Sequence, residues 1–170
     1  LDNYNQFRFT GSSNLPRVRT LVREYLTTSR VTIPNLQLTH VRKISENQYV
    51  SAYAGYLEEM FAGVGGEWLY RPFASRLAYG IDINAVQQRD FHQNLSMRDP
   101  SYRVLTGHAT AYWDTGWHGV DVRVSAGRYL ARDFGATLML SKRFNNGVVF
   151  GAYATKTNVS AEQFGEGSFD

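Results

Sequence analysis

Histidine and cysteine, the side chains most often found at metal sites, are sparse in this sequence. The chain has no cysteine, so the sequence predicts neither a thiolate metal site nor a disulfide. Its four histidines are His40, His92, His108 and His118. They form no His-x-x-x-His pattern and lie in no carboxylate-rich spacing of the kind that holds metals. We therefore expect no metal and no cofactor.

Two residue pairs offer parts of a catalytic site, and each pair is incomplete. In the hairpin predicted below, Ser125 lies opposite His108, but no third side chain orients the imidazole. Glu58 and Glu59 are adjacent, so their side chains diverge whether the segment is a strand or a helical turn. The glycines of "GVGGE" (63–67) have no following helix and no Lys-Ser/Thr, so we interpret them as allowing close backbone approach, bending or a bulge. The sequence predicts no catalytic residue and no enzyme.

Polar side chains are instead concentrated on one face of alternating segments. In "TGHATAYWDTGWHGVDVRVSAG" (106–127) every second residue of both arms is apolar, which predicts two strands with one apolar and one polar face. Mixed charges, hydroxyls and rings on the polar face would suit a hydrated sugar chain. The candidates for glycan contact are Glu67, Asp82, Asn84, His108, Tyr112, Asp121, Arg123 and Arg143. Asp121 and Arg123 are two apart on one strand, and we interpret them as a structural ion pair.

The two-residue period recurs along the chain and predicts an all-β fold, an antiparallel meander of about eight to ten strands. The predicted strands cover residues 17–28, 31–43, 48–57, 62–72, 74–89, 102–114, 119–131, 134–144 and 147–158. The sequence predicts a helical turn at residues 57–61 and a polar loop at residues 90–101. No composition shift divides the chain, so we expect residues 1–170 to be a single β-barrel region.

Register follows from the requirement that paired residues share a face. It places Ala111 opposite Val122, with a four-residue loop between the strands. In the last hairpin it places Phe144 opposite Val148 across a three-residue loop. Such loops commonly end with a residue in the left-handed region, and Gly147 can supply it.

The residues alone leave open whether the apolar face covers a soluble core or meets lipid. Long strands, many alanines on the apolar face and aromatic residues near strand ends favour a membrane barrel. The aromatic residues are Trp68, Tyr70, Tyr79, Trp113 and Phe144.

A net charge of +3, with scattered basic residues, argues against a nucleic-acid partner. No apolar run reaches the ~18 residues of a membrane helix.

Four longer stretches resemble one known family. They are "GYLEEMFAGVGGEWLYRPF" (55–73), "LTGHATAYWDT" (105–115), "VSAGRYLARDFGATLMLSKRFNNGVVFGAYAT" (124–155) and "NVSAEQFGEGSFD" (158–170). They resemble the YjbH family of bacterial outer-membrane proteins, associated with exopolysaccharide and capsule assembly and export. The resemblance implies a Gram-negative outer-membrane β-barrel, of which this chain is an interior portion. It places no active-site residue.

We therefore expect a transmembrane β-barrel, or a portion of one, in the cell outer membrane, with a non-enzymatic role in exopolysaccharide export or assembly. The expected partners are polysaccharide, outer-membrane lipid, other exopolysaccharide-assembly proteins and the remainder of a longer chain. Two alternatives stay open. One is a barrel-embedded enzyme that modifies a polysaccharide or lipid, and the other is a soluble sugar-binding β-domain.

Overall fold

One antiparallel sheet organises the chain. The computed structural model describes residues 24–25, 28–29, 31–97 and 102–160. Eight strands follow one another in chain order, each paired with its neighbours. They are β1 (Leu36–Ser45), β2 (Gln48–Tyr56), β3 (Phe61–Tyr70), β4 (Leu77–Gln88), β5 (Arg103–Asp114), β6 (Val120–Arg128), β7 (Phe134–Arg143) and β8 (Val149–Thr157). In this part of the chain β1 and β8 do not pair, so the meander is confirmed but the sheet is open. No helix within the described residues has the length and apolar composition of a bilayer-crossing segment.

Two predicted elements differ from the structure. Of the predicted strand 17–28, Glu24 and Tyr25 are helical, and most of the other positions lie outside the described residues. The predicted helical turn at 57–61 is wrong. The backbone N–H groups of Leu57 and Glu58 both donate to the Phe61 carbonyl, at 3.1 and 3.2 Å. Because Tyr56 pairs with Ala62, residues 57–61 close a hairpin between β2 and β3 and do not form a turn of helix.

The register of the β7–β8 hairpin agrees with its prediction. Arg143 pairs with Val149, and the Phe144 N–H donates to the Val148 carbonyl at 2.8 Å. Gly147 has a φ of +86°, the left-handed conformation that the three-residue loop requires. Loop length and face pattern are therefore consistent at this hairpin.

The predicted β5–β6 register is wrong by two residues. Ala111 pairs with Val124 instead of Val122, and the connection comprises residues 115–119. Gly116, His118 and Gly119 have φ values of +67°, +47° and +72°, so this connection contains three residues in the left-handed region. A shift of two keeps every side chain on its predicted face, so the error changes neighbours but not sidedness.

The two faces of the sheet differ in exposure as well as in polarity. We call the face that carries Ile83 and Val124 the outer face, and the face that carries Asp82 and Arg123 the inner face. Along β4 and β5, outer-face residues are more exposed than their inner-face neighbours: Ile83 is 57% exposed, whereas Thr106 is 6% exposed. Along these two strands most apolar side chains therefore lie on the more exposed face and the polar ones on the more enclosed face, whereas nearly all residues of β1 and β8 are exposed on both faces.

A small apolar core closes one end of the inner face. It lies where β3, β4 and β5 meet the helical Tyr25 and the β2–β3 connection. Its buried members are Tyr25, Met60, Phe61, Val86 and Val104. The Tyr25 hydroxyl donates to the Arg89 carbonyl at 2.6 Å, which ties the helical residues to the end of β4.

Arg89 is fully buried beside this core and joins two connections. Its guanidinium donates to the carbonyls of Glu58, Glu59 and Asn94, each at 3.3 Å. The charged group also lies over the Tyr56 ring, 3.9 Å from its centroid. Burial lowers the pKa of Arg89, but an arginine stays protonated in proteins, so the charge is held by these carbonyls and the ring.

We predict that Arg89→Gln lowers the free energy of unfolding by about 2 kcal/mol or more, because buried carbonyls lose a charged donor. Urea unfolding of the purified protein, followed by circular dichroism, measures this change. Arg76→Gln is the matched control, since Arg76 is exposed and donates to a single carbonyl, that of Thr115. The control should change stability by less than about 0.5 kcal/mol. Equal effects of the two substitutions would contradict the role given to Arg89.

Candidate polar cleft on the inner face

All eight sequence-predicted glycan contacts occupy inner-face positions of the sheet. Asp82 pairs with Glu67 on one side and His108 on the other, and Tyr112 pairs with Arg123. The structure divides the eight into a central network, a cleft at the end of the sheet that carries the β3–β4 and β5–β6 connections, and one separate residue. Asp82, Asn84 and His108 form the network, Glu67, Tyr112, Asp121 and Arg123 line the cleft, and Arg143 lies apart from both.

The central network joins strands β2, β4 and β5 through side chains. His108 Nδ1 lies 3.2 Å from Asp82 Oδ2, and Asn84 Nδ2 donates to the same oxygen at 3.0 Å. The Tyr53 hydroxyl donates to Asn84 Oδ1 at 2.6 Å. Sequence reasoning missed Tyr53, although it alternates with polar Ser51 on β2 and could have been found from the strand's face pattern.

Ser125 and His108 are not neighbours, contrary to the hairpin prediction. His108 pairs with Gly127, whereas Ser125 pairs with Thr110 and lies within hydrogen-bond distance of it, at 3.0 Å between the two hydroxyls. The two-residue register error explains the difference. Together Ser125 and His108 therefore provide no nucleophile and base.

A second set of hydroxyls extends from His108 across β7 to β8. The His108 and Tyr129 rings meet edge to face, with centroids 4.8 Å apart. The Tyr129 hydroxyl lies 2.6 Å from the Thr137 hydroxyl, which lies 2.8 Å from that of Thr155. Polar groups thus line the inner face continuously from β2 to β8.

The cleft has a volume of about 520 Å³ and is lined by side chains from β3 to β7 and the β3–β4 connection. Its charged and ring-bearing lining includes Glu67, Arg71, Arg76, Tyr112, Asp121 and Arg123. The predicted Asp121–Arg123 ion pair is wrong. No salt bridge joins them within the described residues, and Arg123 Nη2 instead lies 2.9 Å from Met139 Sδ. Residues two apart on a strand are separated by roughly 6.5 Å, so proximity in sequence does not force contact.

A glycine makes room for a tyrosine of this face. A Cβ at Gly65 would overlap Asn84 Oδ1 and the Tyr53 ring. The glycines of "GVGGE" thus allow the close approach that the sequence predicted, and the paired strands β3 and β4 contain no bulge there.

Among the described residues, metal-ligating side chains come together in pairs and not in larger groups. Asp82 and His108 lie close to each other, but within the described residues no three His, Asp or Glu side chains form a group that could hold an ion. The arrangement therefore offers hydrogen-bond donors, acceptors and rings, which suit recognition of a polar polymer.

The fold and the cleft define an all-β protein that separates an exposed apolar face from an enclosed polar one. The chain belongs to the YjbH family, because the family model, described as "Exopolysaccharide biosynthesis protein YbjH", matches residues 1–170. It is also 48% identical over 173 residues to the "Uncharacterized lipoprotein YjbH" of Escherichia coli (strain K12). That match covers 99% of this chain and 25% of the relative, so the chain spans about a quarter of the relative's length. No solved structure matches the chain.

We predict that Gly65→Ala displaces Tyr53 and Asn84 and destabilises the protein by about 1–3 kcal/mol, because the added methyl group overpacks the inner face. The matched control is Gly66→Ala on the opposite face, where the nearest atom to the new Cβ would be the Ser51 carbonyl oxygen at 3.3 Å. Urea unfolding of both variants measures the difference. A Gly66→Ala loss as large as that of Gly65→Ala would contradict the tight inner packing.

Proposed function

We propose that this chain is part of an outer-membrane β-barrel that takes part in exopolysaccharide export or assembly, with the inner face contacting the glycan. One observation carries the proposal: along β4 and β5 most apolar side chains lie on the more exposed outer face, while the polar side chains line the more enclosed inner face. A soluble barrel has the opposite arrangement, with its apolar face inside.

Strand length and the open edges support a membrane barrel. The strands contain 9 to 12 residues, and a tilted strand needs about 9–11 to cross a bilayer. An open edge leaves backbone N–H and C=O groups unpaired, which a bilayer does not tolerate. We therefore propose that β1 and β8 pair with further strands of a longer chain and so close the barrel.

The chemistry of the cleft supports contact with a polysaccharide. Sugar hydroxyls need donors and acceptors, and a sugar ring stacks on aromatic faces. The Tyr112 ring, the carboxylates of Glu67 and Asp121 and the guanidinium of Arg123 meet these needs. Arg123 has no carboxylate partner among the described residues; its Nη2 donates to Met139 Sδ, and its other donors are available to a ligand.

The descriptions of the family and of the relative support the cellular location and the pathway that we propose. The family model is described by exopolysaccharide biosynthesis, and the Escherichia coli relative is named a lipoprotein. Both descriptions favour a place in the cell envelope of a Gram-negative bacterium. We propose a role without catalysis, in which the glycan is bound and guided by the inner face together with other exopolysaccharide-assembly proteins.

The experiment replaces Tyr112, Asp82 and Arg123 together with alanine in the full-length protein. We expect the polysaccharide delivered to the cell surface to fall several-fold, because the inner face loses a stacking ring and two charged groups. The amount of assembled protein in the outer membrane should stay close to that of the native protein. Surface polysaccharide is measured by quantitative sugar analysis of washed cells.

A conservative triple variant with Tyr112→Phe, Asp82→Asn and Arg123→Lys is the matched control. It keeps side-chain size and most hydrogen-bonding groups, so it should export more polysaccharide than the alanine variant. Native export by a normally assembled alanine variant would remove these residues from glycan handling.

A further inference from the structure

The charged residues of the outer face are all basic, whereas the inner face carries both acidic and basic residues. At the outer-face positions of the eight described strands there is no Asp or Glu. The basic residues at these positions lie towards strand ends and are Arg42, Arg103, Arg128, Lys142 and Lys156. The inner face carries all the strand carboxylates, which are Glu67, Asp82, Asp114 and Asp121. The outer face is therefore an apolar band with cations at its two margins.

Three arginines gather at one margin, at the ends of β5 and β6. Arg103 begins β5, Arg128 ends β6, and Arg132 lies in the connection to β7. Arg132 Nη2 donates to the Arg103 carbonyl at 3.1 Å, so two of the three are in direct contact. Arg128 Cζ lies 5.8 Å from the centroid of the Phe134 ring, an outer-face side chain that is 57% exposed. We call these residues, Arg103, Arg128 and Arg132, the arginine margin.

Protein carboxylates do not neutralise the arginine margin. None of the three arginines forms a salt bridge within the described residues, and Arg128 Nε is buried without a hydrogen-bond partner. The neighbouring carboxylate, Asp133, is only 5% exposed, whereas Arg103 and Arg132 are exposed. Arg132 also lies over the Tyr102 ring, 5.2 Å from its centroid. Because the guanidinium groups of Arg103 and Arg132 are exposed and have no carboxylate partner among the described residues, they can take an anion that approaches along the outer face.

We propose that the arginine margin binds the anionic phosphate headgroup of a membrane lipid whose acyl chains pack on the adjoining outer face. This inference rests on the proposed function, because it needs the outer face to meet lipid. Guanidinium matches phosphate oxygens with paired donors. Exposed Leu105, two residues from Arg103 on the same face, and exposed Phe134 continue the site with apolar surface. A free phosphate ion would make no contact with that apolar surface, whereas the acyl chains of a lipid would pack on it, so the proposed occupant is a lipid.

The test uses the full-length protein reconstituted in phosphatidylcholine vesicles that contain a trace of spin-labelled phosphatidylglycerol or spin-labelled phosphatidylcholine. Electron paramagnetic resonance measures the fraction of each lipid immobilised by the protein. We expect the immobilised fraction of phosphatidylglycerol to exceed that of phosphatidylcholine by about fivefold, because a cation near a membrane surface attracts anionic lipid. Replacing the arginine margin by glutamine (R103Q, R128Q, R132Q) should lower that preference by at least half.

Two further variants keep the result interpretable. The pair R42Q and K142Q removes cations from the opposite margin of the same face and should leave the preference unchanged. R132Q alone changes only an exposed connection residue and should give a partial loss even if the triple variant assembles poorly. Native preference in both R132Q and the triple variant, or loss in the R42Q and K142Q control instead, would overturn the inference.

The same spectra separate this inference from the proposed function. If the native protein immobilises neither lipid, the outer face does not meet a bilayer and the proposed function fails. If it immobilises both lipids equally, the membrane assignment holds and the arginine margin has no preference for anionic headgroups.

Discussion

The alternation of side chains along paired strands is the constraint on which the rest of the structure depends. A residue's face follows from its position in its strand, and the backbone ladder ties that position to the next strand. A slip of one residue between β4 and β5 would move His108 to the outer face and remove it from Asp82. The inner network, the cleft and the exposed apolar band all require the same register across eight strands.

Sidedness and one hairpin register could be predicted from the sequence because both leave local signals. Alternating polarity determines the face of each residue without any knowledge of its partner. At β7–β8 the loop length and Gly147 independently select the same pairing. At β5–β6 the polarity pattern is satisfied equally by pairing Ala111 with Val122 or with Val124, so it could not choose between them. The error mattered locally, since it produced the mistaken contact between Ser125 and His108.

Contacts between distant segments could not be predicted in the same way. Arg89 follows "QQ" and precedes a polar loop, a context typical of an exposed side chain. Its burial depends on the carbonyl of Glu58, 31 residues earlier in the chain. Tyr53 joins the central network only because Gly65, on the adjoining strand, leaves space for its ring. In the same way, closure of the sheet requires pairing partners for β1 and β8 that no local pattern specifies.

The central claim, that the outer face meets lipid and the inner face encloses water, is tested most directly at two adjacent residues of β7. Leu138 is 46% exposed on the outer face, and Thr137 lies on the inner face, hydrogen-bonded to Tyr129 and Thr155. A nitroxide is attached at each position in turn, through a single cysteine in cysteine-free full-length protein in membrane vesicles. Relaxation by oxygen, which concentrates in lipid, is compared with relaxation by a water-soluble nickel chelate. We predict that oxygen dominates at Leu138 and the nickel chelate at Thr137. Dominance of the nickel chelate at Leu138 would contradict the account.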